Sequence, residues 1–341
     1  MDKKSVYCEM AFLKPFLDSC PTTKPLPNNQ SFKNYQCWTN ILSFICRSNV
    51  TIDCKESEFL GLASQDETYA YLWQQTGDGY FDLEFNTESF PYLESTPINN
   101  LSNKQLTGVF LTGKDLSQKA EDIGVININT ANFLLVSHLF KDNGIAIGKD
   151  DEYDWSFLRT KARHNCNTLI FVDNYGMKEP DINLYRILDC LLPQKCKSQF
   201  QLLLVSLLPD IKGKDYDECV IIQKSKYKRL RQWLHENRPQ LCCQVETYIS
   251  QQGDFHDRFI LSNNIWIKCP GGFDLFKKTD NKIISTKSTE IMIVYPYFQS
   301  FSEAIKSSYI IALEDLDFFL DEQKTKNKLM LAFKEYVETL K

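Results

Sequence analysis

The sequence predicts an α/β protein: an N-terminal parallel-sheet domain, a second α/β domain, and a C-terminal helical tail. Three observations lead there. Apolar strand-like runs alternate with helical stretches through residues 5–135, which implies a mostly parallel sheet with helices on its faces. A polar Gly/Asp-rich stretch at 142–153 then precedes a second strand–helix series. The chain of 341 residues is long enough for two domains, and its 43% hydrophobic and 13% aromatic content argues against wholesale disorder. The boundaries read as 1–140, a linker at 141–155, a second domain at 156–300 and a tail at 301–341.

Along the first domain, residues 6–13 read as a buried strand and 21–30 as a Pro/Asn-rich loop. Residues 35–47 carry Trp38, Ile41, Leu42 and Ile45 at helical spacing. A strand at 50–53 and a short helix at 56–65 follow, then a turn-rich, poorly periodic stretch at 76–104. A third strand spans 109–112, a helix 115–123 ends at Gly124, and a fourth strand spans 125–128. The second domain opens with a strand at 168–175 ending in Asp173-Asn174-Tyr175. A helix at 182–192, a strand at 200–207 and a cation-rich helix at 217–237 come next. Strands at 245–250 and 256–261 follow, with 265–268 in a hairpin with the latter, and the tail at 302–341 is helical and amphipathic. Tyr295-Pro296-Tyr297-Phe298 reads as an aromatic packing corner.

Charge and cysteine usage narrow the classes. The net charge of −5 divides unevenly: residues 1–150 carry 12 Lys and Arg against 18 Asp and Glu, and residues 151–341 carry 27 against 26. An acidic first domain is not a bulk nucleic-acid wrapper, since phosphates repel it, but it suits a carboxylate-lined metal site. The twelve cysteines show no Cys-x-x-Cys and no finger-spaced Cys/His pair, and Cys242 and Cys243 are adjacent. Most lie in apolar runs, which reads as buried thiols in a reducing cytoplasm. The first residues lack a signal-peptide core, and no run reaches the ~20 apolar residues of a membrane span.

The richest stretch is Phe255-His256-Asp257-Arg258-Phe259-Ile260-Leu261-Ser262-Asn263, followed by Trp266 and Gly271-Gly272-Phe273-Asp274-Leu275-Phe276. His256 and Arg258 are two apart, so a strand places both on one face. An imidazole beside a phosphate-gripping guanidinium is an arrangement for phosphoryl transfer; the alternative is a solvated cluster at a strand end. His256-x-Arg258-x-x-x-x-Asn263 resembles the phospholipase D superfamily pattern. With the Gly-rich turn, it is similar to the phospholipase-D-like domain of MIT-domain proteins, over residues 160–300. The resemblance implies catalytic roles for His256 and Arg258 and a phosphate-side role for Asn263. Arg258 stands where the family has lysine, and Asn263 where it has aspartate. Active members join two such motifs, and neither His138 nor His164 starts a second copy. A homodimer sharing one site, or a site that binds phosphate without turnover, are the two consequences.

In the first domain, Val109-Phe110-Leu111-Thr112-Gly113-Lys114-Asp115, through Gly124 to Ile128, resembles the C-terminal part of PIN-like ribonuclease domains, and the likeness spans about residues 4–135. It implies acids at Glu9 (normally Asp), at Glu56 or Glu58, and at Asp115. Carboxylates at the ends of parallel strands converge on one crevice, where Glu9, Glu58 and Asp115 would hold Mg²⁺ or Mn²⁺ against a phosphodiester. The alternative is a set of surface acids and helix caps.

The densest cationic run is Lys224, Lys226, Lys228, Arg229 and Arg231, interleaved with Tyr227 and Trp233. On a helix Lys224, Lys228 and Arg231 fall on one side, able to grip a phosphate backbone or to form a solvated face. The leading expectation is a cytoplasmic, nucleic-acid-directed nuclease, a toxin or defence effector, acting on RNA with metal-dependent cleavage in the first domain. The other class is a degenerate binding or regulatory module for nucleic acid, anionic lipid or a protein partner. A third option is a metal-independent phospholipase-D-type hydrolase acting through His256 in a homodimer.

Overall fold

The computed structural model describes residues 5–19, 21, 24–27, 29–77, 82–87, 108–140, 144–162, 165–173, 183–207, 215–250, 255, 257–279, 282–296, 298, 303–322 and 337–338. The chain divides into two compact units, Met1–Lys141 and Asp142–Lys341.

Unit 1 is built on five parallel strands in the order β3-β2-β1-β4-β5. They are β1 (Ser5–Cys8), β2 (Asn49–Ile52), β3 (Asp82–Phe85), β4 (Val109–Thr112) and β5 (Ile126–Asn129). The helices are α1 (Met10–Asp18), α2 (Gln30–Ile45), α3 (Glu56–Ala63), α4 (Glu67–Gly77) and α5 (Ser117–Ile123). The Asn29 side chain accepts the amide of Phe32 and so caps α2. Gly124, at φ 78°, ends α5 in the left-handed conformation that suits a glycine.

The expected strand at 6–13 stops at Cys8, and its second half is helix α1. Phe12, Leu13, Phe16 and Leu17 are the buried residues of that helix, a helical spacing that a continuous apolar run disguises as strand. The turn-rich stretch at 76–104 contains β3, whose half-exposed Asp82-Leu83-Glu84-Phe85 lacks the apolar content of the inner strands. α4 was also absent from the sequence reading.

Unit 2 carries a seven-stranded sheet ordered β6-β14-β11-β10-β7-β8-β9. The parallel trio is β7 (Thr168–Val172), β8 (Lys195–Leu207) and β9 (Gln240–Ser250). β10 (Phe259–Ser262), β11 (Trp266–Lys268), β14 (Thr289–Val294) and β6 (Ile145–Ile147) continue the sheet with antiparallel pairings. A separate hairpin joins β12 (Phe276–Thr279) to β13 (Lys282–Ser285). The helices are α6 (Leu158–Lys161), α7 (Asn183–Leu191), α8 (Tyr216–Asn237) and α9 (Glu303–Glu322).

The stretch expected to be a linker, 141–155, holds β6 and the fully buried Trp155, so it is part of this unit. Its Gly and Asp residues form a tight turn, in which the Asp151 carboxylate accepts the Gly148 amide at 2.6 Å. α9 covers one face of the sheet. Its Tyr309, Leu313, Leu316, Phe319 and Leu320 pack on Ile170, Val172, Leu203, Val205, Phe259 and Leu261, the alternate residues of three neighbouring strands. Burying each such aliphatic side chain stabilises the fold by about 1.5–3 kcal/mol. No helix among the described residues is long and apolar enough to cross a membrane.

A close backbone approach in unit 1 joins the β4 end to α1. A Cβ on Gly113 would stand 2.6 Å from the Ala11 Cβ and 3.0 Å from its carbonyl. Gly61, exposed on α3, would meet nothing within 4 Å. Gly113→Ala is therefore expected to lower stability by about 1–3 kcal/mol, and Gly61→Ala to raise it by about 0.5–1 kcal/mol. Urea midpoints of the two variants against the parent check both signs.

Candidate functional site

In a sheet ordered β3-β2-β1-β4-β5 the chain winds one way from β1 and the other way from β4. The crevice outside their carboxyl ends is the place where such sheets take ligands. Glu9 directly follows β1. Its amide donates to the Leu111 carbonyl at 2.9 Å, extending the ladder by one bond, and its Oε2 accepts the Gly113 amide at 2.8 Å. The Glu9 carboxylate thus pins the β4 end two residues before Asp115.

Asp53, directly after β2, points into the same corner. Its Oδ1 accepts the Met10 amide at 2.6 Å, satisfying an otherwise orphaned donor at the start of α1. Asp115 Oδ1 accepts the Ser117 amide at 2.9 Å and an amide hydrogen of the Asn129 side chain at 3.1 Å. The Ser117 hydroxyl and amide, with help from Asn129, hold the Asp115 carboxyl below its usual range, so it is ionised at neutral pH. Behind it lies a buried amide network. Asn127 donates to Thr112 Oγ1 at 2.8 Å and to the Phe110 carbonyl, and its own Oδ1 accepts from Leu116 and Asn129.

Glu58 is exposed in the first turn of α3, where a carboxylate favours the helix dipole, and its charge reaches Cys54 beside Asp53. Asp53 takes the place given to Glu58 or Glu56, and its position immediately after a strand was the available signal. Cys8 and Cys54 flank the acids but stay protonated. Burial, then the Asp53 charge, pushes Cys8 well above the usual thiol range, and burial pushes Cys54 up to about 11.

Among the described residues no three His, Cys, Asp or Glu side chains form a metal-holding group. The three-acid cage of Glu9, Glu58 and Asp115 is therefore not what the fold builds. The donors at hand are hard carboxylate oxygens, which suit Mg²⁺ or Mn²⁺ in kind. Mg²⁺ is commonly held by one or two carboxylates plus water and substrate phosphates, so Glu9 and Asp115 meet that lesser need.

In unit 2, His256 lies outside the described residues, as do His164, Asn174 and Tyr175. Arg258 stands just before β10, its Nη1 donating to the Pro270 carbonyl at 3.1 Å. Its Nε is buried with no hydrogen-bond partner. On the same sheet edge, the fully buried Asp173 follows β7 and its Oδ2 accepts the Phe273 amide at 2.8 Å. That bond ties down the turn at Gly272, whose φ is 82°. Lys287 reaches the same turn and pairs with Asp274 at 3.1 Å, and Asp257 pairs with Lys268 at 2.7 Å. Cys269 closes the turn; burial, then the Asp173 charge, pushes its thiol up to about 12.

Asn263 is a correction. It is 1% exposed and sits at the opposite edge of the sheet, past the far end of β10. Its Oδ1 accepts the amides of Asn167 and Thr168, and its Nδ2 donates to Asn167 Oδ1 at 2.7 Å. It clasps the start of β7 and has no access to a phosphate. Lys224, Lys228 and Arg231 are exposed on α8, whereas Lys226, in the same run, is buried.

The chain matches no protein-family model and no curated protein.

Asn263→Ala leaves two buried amides without their acceptor and should cost about 1–3 kcal/mol in denaturant unfolding. The salt dependence of polyanion binding should not change in that variant. A phosphate contact would give the reverse pattern, a flatter salt slope with unchanged stability.

Proposed function

We propose that the chain is a phosphodiesterase directed at nucleic acid, RNA foremost, with hydrolysis in the unit 1 crevice and phosphate recognition in unit 2. One observation carries the reading: Glu9 and Asp115 follow β1 and β4, the two strands that flank the switch point of a parallel sheet, and Asp53 follows the neighbouring β2. Bare carboxylates repel phosphate, so a crevice of this kind acts on a phosphodiester with a counter-cation, for which Mg²⁺ or Mn²⁺ on Glu9 and Asp115 is the fitting class. Such an ion, when bound, supplies Lewis acidity and a more acidic water. The chain's own groups do the rest. Asp115 stays ionised through Ser117 and Asn129, and Glu9 sets its distance from Asp115 through Gly113. The resemblance of residues 4–135 to PIN-like ribonuclease domains agrees with this reading.

A second reading rests on the same bonds. Glu9, Asp53 and Asp115 each have a carboxylate oxygen on a backbone amide, which suits acids kept for architecture in a module that binds without turnover.

Labelled single-stranded RNA and DNA, incubated with Mn²⁺ or with EDTA, separate the readings. Glu9→Gln and Asp115→Asn keep the hydrogen-bond acceptors while removing the charge. Each is expected to lower cleavage by at least about 100-fold with an unchanged melting temperature. Full activity in the double variant sinks the proposal. EDTA-resistant cleavage moves the chemistry to His256 and Arg258 and requires a dimer. Salt-sensitive binding without cleavage establishes the second reading.

A further inference from the structure

We infer that a cavity between the end of α8 and edge strand β9 seats one nucleotide of a single-stranded nucleic acid, with the α8 cations tracking the adjoining phosphates. The inference deepens the nucleic-acid reading of unit 2 and rests on it. α8 buries Cys219, Gln223, Tyr227, Leu230 and Leu234. At 3.6 residues per turn, Lys224, Lys228, Arg231 and His235 then fall within roughly 60° of one another on one flank, spread over about 16 Å of helix axis. All four are exposed. Three cations and an imidazole in a row of this length, on a helix flank leading to a cavity, suit a chain of phosphates better than a single anion.

The row runs into a cavity of about 350 Å³, within the size range of small-molecule sites. Arg231 and Arg238 are its cations, His235 lines it beside them, and Leu234, Pro239, Leu241 and Val245 give it an apolar wall. Arg231 crosses from helix to strand, its Nη2 donating to the Val245 carbonyl at 3.3 Å. Arg238 is 4% exposed. Its Nη2 holds Asp189 at 2.8 Å, its Nη1 holds the Asn237 carbonyl at 2.9 Å, and its guanidinium lies 5.9 Å from the Trp233 ring centre. Its buried Nε has no partner among the described residues, and it is a donor that a ligand acceptor would satisfy. Asp189 is the carboxylate shared by Arg159 and Arg238, so the corner keeps net positive charge. An apolar wall beside guanidinium groups matches a ligand with a flat apolar face and an attached phosphate, which is a nucleotide.

The test reads binding alone, by fluorescence anisotropy of a short fluorescein-labelled oligouridylate on the full chain in EDTA. Arg231→Glu with His235→Glu, both at exposed positions, should weaken binding at least about tenfold. Arg231→Ala should lower the slope of log affinity against log salt by about 0.7, the value for one single-strand phosphate contact. Lys14→Glu, a charge reversal at an exposed position on α1, should leave both unchanged. Uridine monophosphate should displace the probe at concentrations where inorganic phosphate does not. Unchanged binding in the double variant, or displacement by uridine monophosphate no better than by phosphate, overturns the inference. Metal-dependent cleavage in unit 1 is silent in EDTA, so a failed unit 1 reading and a failed cavity are told apart.

Discussion

Strand β1 is paired on both sides, and Val6 and Cys8 are fully buried, so the chain can turn only once it clears the sheet. That constraint organises unit 1. The amide of Glu9 makes the last ladder bond, its carboxylate holds the amide of Gly113, and Asp53 holds the first free amide of α1. The acids at the switch point therefore build the turn before they do any chemistry. A helix begins at once because its orphan amide is met by a side chain from the next strand. The missing Cβ of Gly113 lets α1 and the β4 end approach closely enough for the Glu9 bond. Architecture and candidate chemistry use the same two or three carboxylates, which is why both functional readings draw on the same hydrogen bonds.

Unit 2 sorts its polar groups by sheet edge. At one edge Asn167 and Asn263 stitch the strand ends with neutral amides in a dry environment, where a charge without a partner would be costly. At the other edge stand Asp173, Arg258, Asp274 and Lys287 around a glycine turn. Arg258 and Asn263 flank the four-residue strand β10, so its extended length, at about 3.4 Å per residue, sends them to opposite ends of the strands. α9 seals one face with an apolar stripe, and the cations of α8 remain outside because its inward positions are taken by Leu230, Leu234 and the Tyr227–Gln223–Ser206 hydrogen bonds.

Much of the layering was legible. The alternation of apolar runs with helical spacing fixes an α/β protein, and Gly124 marks the end of α5 as read. Glu9 and Asp115 were singled out by the resemblance to PIN-like ribonuclease domains, which implies acids near the ends of the first and third strands. The misses share a cause. Residues 10–13 continue an apolar run in which strand and helix burial look alike, β3 is an edge strand with too little apolar content to stand out, and β6 is an edge strand of only three residues. Asp53 was passed over for Glu58 because a helix-start acid and a strand-end acid differ by a few residues in sequence.

By itself the sequence determined most of the element types, the cationic flank of α8 and the acidic character of the strand ends, since these follow from local periodicity and from which residue borders which strand. Strand order was decided only by the tertiary structure, and with it the meeting of Glu9 with Gly113 across 104 residues, the retreat of Asn263 to a buried clasp, and the cavity that joins Arg231 to Arg238 beside β9. Those depend on pairings between distant segments, where the choice of neighbour is set by the summed burial of whole strands and leaves no mark on any single stretch of chain.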